Sequence, residues 1–235
     1  MNILITGASR GIGYETVKYL ALNGSHKIIA LSRTVGRFNS FQSDLIQQNR
    51  KSVIIPISFD LLELQKIPDQ LLEIIKSHVD KIDILINNAG FLIAKPLLLL
   101  SIDEIMKMVS VNYMAPALLI KSLVPLMPKG SHVVNISSMG GFQGSVKFPG
   151  LSVYSSSKAA LASLTEVLAE ELKQNGIAFN CLALGATDTE MLREAFPDYQ
   201  APITARKMAE FIAYFAQEGN KFFNGKILPV SVSTP

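Results

Sequence analysis

Tyr154 and Lys158 stand four residues apart in Tyr-Ser-Ser-Ser-Lys, at the head of a long apolar-periodic segment. On a helix, positions i and i+4 share a face, so this spacing sets a phenol beside an ammonium. A neighbouring positive charge favours the phenolate and is expected to lower the phenol pKa from its usual value of about 10. A phenol tuned in that way can give or take a proton near neutral pH. The same spacing is common on solvated helix faces, so the pair gains meaning only from the rest of the chain.

The second constellation is Thr6-Gly7-Ala8-Ser9-Arg10-Gly11-Ile12-Gly13, between a first apolar strand and a first helix. Glycines at Gly7, Gly11 and Gly13 let a backbone turn tightly and approach a pyrophosphate, and the helix N-terminus adds free N–H groups and a positive dipole end. The spacing is Gly-x-x-x-Gly-x-Gly rather than the Gly-x-Gly-x-x-Gly dinucleotide fingerprint. After the second strand, an acidic residue would bind the adenosine ribose of NAD. The chain has Leu31-Ser32-Arg33 there instead. A guanidinium at Arg33, with Arg10 approaching from the loop, favours NADP(H) and its 2′-phosphate over NAD(H).

These groups need elements to hold them. Short apolar runs at Asn2–Ile5, Lys27–Leu31, Val53–Ser58, Ile82–Ile86, Ser131–Ile136, Ile177–Leu182 and Lys226–Val230 read as strands. Helical patterns fall at Ile12–Asn23, Phe41–Gln48, Leu62–Ser77, Ile102–Leu126, Val153–Gln174 and Ala205–Gln217. Pro56 sits awkwardly in its strand, and Pro116 predicts a kink in the long helix. Continuous apolar strands alternating with helices imply an α/β fold with a parallel, doubly wound sheet. No linker or composition shift divides the chain, so residues 1–235 are expected to form one domain.

Composition excludes several function classes. Hydrophobic residues make up 49% and charged residues 17%, which suits a packed globular protein and argues against disorder. The net charge of +3 is scattered, with no basic run for nucleic acid. Cys181 is the single cysteine and sits in a buried-strand pattern; it reads as a core thiol. His26, His78 and His132 are isolated, and no metal-ligand spacing is present, so no metal is expected. The apolar run Phe91 to Leu100 is interrupted by Lys95 and Pro96 and is too short to span a bilayer. No targeting signal opens the sequence, and a cytoplasmic location without membrane contact is expected.

In the order of its motifs the chain resembles the short-chain dehydrogenase/reductase family, in its compact single-domain branch. The match runs through Thr6-Gly7-x-x-x-Gly11-x-Gly13, Asp60, Asn87-Asn88-Ala89-Gly90, Asn112, Ser138 and Tyr154-x-x-x-Lys158. The resemblance implies a Rossmann-like sheet of about seven strands and an NAD(P)-dependent oxidoreductase. Tyr154 would then be general acid in carbonyl reduction and base in alcohol oxidation. Lys158 would lower its pKa and hold the nicotinamide ribose. Ser138 would steady the developing alkoxide, with Ser137 as its rival, and Asn112 would hold a water linking Lys158 to solvent. Asp60 and Leu61 would meet the adenine, Asn88, Ala89 and Gly90 would line the cofactor cleft, and Ser9, Ile12 and Ser32 would lie along it.

Three departures from the family pattern stand out. Ser138 and Tyr154 are a few residues further apart than usual, the extra length falling in Gly141 to Gly150. Leu184-Gly185 replaces a Pro-Gly, leaving Gly185 and Thr189 as cofactor contacts with Thr187 in competition. The chain ends in Leu228 to Pro235 without an acidic-Gly-Gly tail. The substrate walls would come from Phe91, Leu92, Met139, Phe142, Phe148, Met191, Leu192, Phe196 and Tyr199, favouring an apolar carbonyl or alcohol substrate. An apolar stripe of Ala160, Leu164, Val167, Leu168 and Leu172 is compatible with a homodimer or homotetramer. The competing readings are an NAD-linked alcohol dehydrogenase of the same family and a catalytically silent regulator that senses NADP(H).

Overall fold

The computed structural model describes residues 1–48 and 50–232, so Ser233 to Pro235 of the expected tail departure lie outside the described residues. Seven parallel strands form the main sheet: β1 (Asn2–Thr6), β2 (Lys27–Ser32), β3 (Val53–Ser58), β4 (Ile84–Asn87), β5 (His132–Ser138), β6 (Ala178–Leu184) and β9 (Lys226–Val230). Their order is β3-β2-β1-β4-β5-β6-β9. The chain thus winds one way from β1 and then the other, and the switch point lies between β1 and β4, where open α/β sheets bind ligands.

Strand periodicity divides the core. Ile3, Ile5, Ile28, Ala30, Ile84 and Ile86 face one side, against α1 (Gly11–Leu22), α2 (Arg37–Gln47) and α8 (Ala205–Glu218). Leu4, Ile29, Leu31, Leu85, Val133 and Phe179 face the other, against the helical stretch ending in α3 (Leu72–Lys76) and against α5 (Ala115–Leu123). Adjacent strand residues point to opposite faces, so a continuous apolar strand supplies both cores at once. Pro56 is accommodated because β3 is an edge strand, and Pro229 in β9 lies at the opposite edge.

The helix from Ile102 to Leu126 is interrupted as the kink expectation required. The break falls one turn before Pro116, at Asn112, itself a poor helix former where a local kink is also expected: α4 (Ile102–Val109) passes through a π-helical turn at Ser110–Met114 into α5. Among the described residues this is the one helix long and apolar enough to cross a membrane, and its apolar residues Ala115, Leu119, Ile120 and Leu123 are buried in the core. The predicted helix at Leu62–Ser77 is broken into a 3-10 turn, a π turn around Pro68 and α3. The sequence pattern did not reveal α7 (Glu190–Ala195) or the two-stranded pair of β7 (Thr187–Asp188) with β8 (Ile203–Thr204). These elements are too short for periodicity to register.

The helix that carries Tyr154 and Lys158 is α6 (Ser152–Glu171), and buried polar groups fix it to the sheet. Asn87 Nδ2 donates to Asn135 Oδ1 at 2.8 Å, and Asn135 Nδ2 donates to Thr165 Oγ1 of α6 at 2.9 Å. Ser137 Oγ donates to the Lys158 carbonyl at 2.8 Å. Such bonds, made away from water, fix one orientation of the helix where apolar packing alone would allow sliding.

Candidate active site

The carboxyl ends of β1, β2, β4, β5 and β6 open into one cleft of about 530 Å³. Every residue expected along the cofactor lines it, as do Ser138, Tyr154 and Lys158; Asn112 stands just behind. The glycine turn is tightly knit. Gly7 has φ +67°, and a Cβ on it would lie 2.7 Å from Ala89 Cα. A Cβ on Gly13 would lie 2.4 Å from Asn88 Nδ2 and from Gly7 O. Asn88 Nδ2 donates to Thr6 O at 2.9 Å, and Ala89 N–H donates to Thr6 Oγ1 at 2.9 Å. No side chain caps α1, so its leading N–H groups remain free to meet an anion.

Lys158 is 2% exposed, and its ammonium donates to the Ile136 carbonyl at 2.8 Å. Burial pushes its pKa down to about 8, against a smaller opposing influence from Cys181. Tyr154 keeps part of its surface open to the cleft, and its phenol is hydrogen-bonded to the Ser138 side chain. Burial raises the phenol to about 12 despite that bond. The direction is opposite to the lowering expected from the i, i+4 spacing. Desolvation disfavours both charged forms, and the ammonium that was to favour the phenolate is itself weakened and turned toward Ile136.

Ser138 and Ser137 separate by environment. Ser138 Oγ accepts from the Gly140 N–H at 3.2 Å and faces the phenol, whereas the Ser137 hydroxyl is buried against the Lys158 carbonyl. Asn112 is fully buried. Its Oδ1 accepts from the Phe91 N–H at 2.8 Å, and its Nδ2 donates to Phe91 O at 2.8 Å and Ser157 Oγ at 3.0 Å. The side chain therefore clamps the cleft wall to α6. A proline at position 116 has no N–H to give the Asn112 carbonyl four residues back, a signal present in the sequence but not used there. A Cβ on Gly90 would lie 3.5 Å from Lys158 Nζ and 3.7 Å from Asn112 Oδ1, so the two groups meet at this glycine.

At the adenosine end the structure redistributes the charges. Arg10 lines the cleft, and its Nη1 lies 2.9 Å from Glu190 and 3.5 Å from Glu194 of α7 in solvent-exposed ion pairs. Arg33 is exposed at the cleft edge, and Ser32 Oγ donates to Thr34 O at 2.8 Å. Arg37, not singled out from the sequence, lies over the Tyr14 ring at 4.9 Å, with Nη1 3.4 Å from Ser9 O. Its place four residues after Arg33 was the available clue. Thr189 caps α7 by accepting from Leu192 N–H at 3.2 Å, and its methyl lies over Gly11, while Thr187 donates to Gly185 O at 3.3 Å.

The substrate end is apolar. Phe91, Leu92, Met139, Phe148, Met191, Leu192, Phe196 and Tyr199 line it, joined by Leu151; Phe142 does not. Phe142 instead presents its carbonyl to Lys147, whose ammonium donates to Phe142 O at 2.6 Å and to Gly140 O at 2.9 Å. The far end of the same loop is tied by Lys95 N–H donating to Gly150 O at 2.9 Å. Lys95 is itself held by Glu104, which completes a capping box with Ser101 at the start of α4.

Known proteins share this arrangement. A sequence model of the short chain dehydrogenase family matches residues 1–200. An uncharacterized oxidoreductase of Bacillus subtilis, YxjF, is 30% identical over 197 residues, covering 83% of this chain and 74% of its own. The 3-oxoacyl-[acyl-carrier-protein] reductase FabG of Escherichia coli is 28% identical over 240 residues, covering 97% and 94%. A crystal structure of a short chain dehydrogenase from Burkholderia cenocepacia in complex with NADP superimposes with a TM-score of 0.86 at 26% identity, covering 99% of this chain and 96% of that one. With the motifs in order, the sheet wound about the same switch point and the match extending over most of its length, this chain belongs to the short-chain dehydrogenase/reductase family and is an oxidoreductase acting between CH–OH and C=O groups with NAD(P).

Proposed function

We propose that the protein, acting as one domain over residues 1–235, reduces an apolar carbonyl compound with NADPH, Tyr154 giving the proton. The observation that carries this reading is the Ser138–Tyr154 contact at the foot of an apolar cleft, beside the glycine turn. NADP(H), when bound, supplies or accepts the hydride. The glycine turn and the free N–H groups of α1 would hold its pyrophosphate, with Asp60 and Leu61 beside the adenine and Arg33 at the 2′-phosphate. Ser138 orients the substrate oxygen and donates to it as charge develops. A phenol pKa near 12 keeps Tyr154 protonated at neutral pH, the form that a reductase needs. Lys158, its pKa brought to about 8, can resupply the phenol, with water at the Asn112 carbonyl as the path to solvent.

The apolar walls, and relatives named as 3-oxoacyl-[acyl-carrier-protein] reductases, favour an acyl or similar carbonyl over a sugar. One observation favours a second reading, NAD-linked alcohol oxidation: Arg10 is paired with Glu190 and Glu194, which offsets charge that a 2′-phosphate would use. A homodimer or homotetramer through α6 belongs to the same proposal. Val167 is the member of its apolar stripe that stands clearly exposed, whereas Leu168 and Leu172 pack partly onto the core. The test is nucleotide oxidation with NADPH and with NADH over a panel of ketones and 3-oxoacyl thioesters, for wild type and Tyr154→Phe. Loss of turnover by a factor of about 100 or more in Tyr154→Phe is expected. Full activity in that variant, or no turnover with any carbonyl, would defeat the proposal.

A further inference from the structure

The loop that walls the cleft reaches back to Ser138. We propose that Lys147 is a positioning residue for the Ser138 hydroxyl, acting through the Met139–Gly141 turn. The inference rests on the reductase reading above, in which Ser138 donates to the substrate oxygen. β5 ends at Ser138, and Met139–Gly141 follow as a 3-10 turn. Ser138 Oγ accepts from the Gly140 N–H at 3.2 Å, so the aim of the hydroxyl depends on where this turn is held. A hydroxyl has one proton and two lone pairs. With one lone pair taken by Gly140, the proton is directed away from the turn, to the cleft that Ser138 and Tyr154 line.

Two supports hold the turn. The first is α6, on which the glycines let the backbone lie directly. A Cβ on Gly141 would be 2.7 Å from Ala159 N, and one on Gly140 would be 2.8 Å from Ser155 Oγ. The second is Lys147, whose ammonium donates to Gly140 O at 2.9 Å and to Phe142 O at 2.6 Å. One carbonyl belongs to the middle of the turn and the other to the residue just after it, so a single cation bridges the turn's exit. Among the described residues no carboxylate is paired with Lys147, and its charge is spent on these carbonyls. Bonds from an ammonium are stronger than those between neutral groups, which suits a brace at an exposed position. Phe148 follows Lys147 directly and lines the apolar end of the cleft. The segment that meets the substrate is thereby tied to the turn that aims Ser138, and small errors in such an aim cost rate steeply.

A double-mutant cycle on the full chain tests this. Ketone reduction with NADPH is measured for wild type, Lys147→Met, Ser138→Ala and the double variant, with kcat and KM read separately. Lys147→Met is expected to lower kcat roughly tenfold, as a misaimed donor does, and to leave KM for NADPH within about twofold. In the Ser138→Ala background the same substitution changes kcat by less than about twofold, because the hydroxyl it positions is gone. Lys147→Arg keeps a cation with several donors and recovers most of the rate. A role confined to holding the loop together would lower kcat by the same factor in both backgrounds. That result, or a wild-type kcat in Lys147→Met, overturns the assignment to Lys147 and leaves the reductase reading standing. If wild type reduces no carbonyl, or Ser138→Ala keeps the full rate, the reading of the site fails and this inference falls with it.

Discussion

Replacing Lys158 by methionine is expected to stabilise the chain at neutral pH, measured without nucleotide, while removing turnover. The folded ammonium ionises at about 8 instead of its ordinary 10.5. At about 1.4 kcal/mol per tenfold, that gap amounts to about 3 kcal/mol against the folded state. Methionine fills a similar volume but forfeits the bond to the Ile136 carbonyl, about 1 kcal/mol. The balance of about 2 kcal/mol corresponds to a rise in Tm of about 4–8 °C for a domain of this size. The pH dependence gives the sharper test. Between pH 8 and 10.5 the unfolded lysine holds its proton while the folded one has lost it, so wild-type stability rises with pH across that window. The advantage of Lys158→Met is therefore full below pH 8, shrinks through the window and disappears above it. Thermal melts of both proteins from pH 7 to 10.5 at constant ionic strength read this directly. A variant that melts below wild type at pH 7, or a difference that does not change with pH, would refute the reasoning.

Other perturbations probe the neighbouring parts. His132 is buried, its Nδ1 donates to Ala216 O and its Nε2 accepts from Asn180 Nδ2, and its pKa is lowered to about 4 by burial, so the unfolded chain takes up a proton first as pH falls. Urea denaturation is expected to show stability falling from about pH 6.5 to pH 4 by up to about 3 kcal/mol from this group, with the slope reduced in His132→Leu. Asn112→Leu removes the bonds to both backbone groups of Phe91 and to Ser157, and a loss of about 2–4 kcal/mol is expected in chemical denaturation, together with lower kcat. Gly13→Ala places a carbon 2.4 Å from Asn88 Nδ2 and Gly7 O; nucleotide binding, followed by fluorescence titration, is expected to fall sharply while the other half of the sheet keeps its hydrogen-exchange protection.

What the sequence revealed, and what it hid, follows from the range of the forces involved. Strand runs such as Val53–Ser58 and Lys226–Val230 are bounded as expected, because burial on both faces leaves a local apolar signature. The prolines within them needed the sheet order before their edge positions explained them. The glycine turn and Tyr154-x-x-x-Lys158 were legible because each needs fixed residue types at fixed spacing. Long-range electrostatics was not. Arg10 and Arg37 are both basic residues near the glycine turn, and only the placement of Glu190 and Tyr14 decides which cation faces which way. The Tyr154 pKa failed for the same reason. Spacing shows that an ammonium is near, but the depth of burial, which outweighs it, is a property of the folded chain.

The Gly141–Gly150 loop, fastened to itself by Lys147 and to its neighbour through Gly150, has a kinetic consequence. A loop that became ordered only around its ligand would subtract about 1–2 kcal/mol per fixed residue from affinity. Here bonds internal to the protein already hold both ends of the loop without a ligand, so less of that ordering is left to binding. Arriving molecules therefore meet a finished mould, and selection occurs at first contact. Association is expected to be a single fast phase, and bulky compounds are turned away at the entrance without first remodelling Phe148 or Leu151. Selectivity of this kind is steep in molecular shape and nearly indifferent to ligand flexibility beyond the cleft.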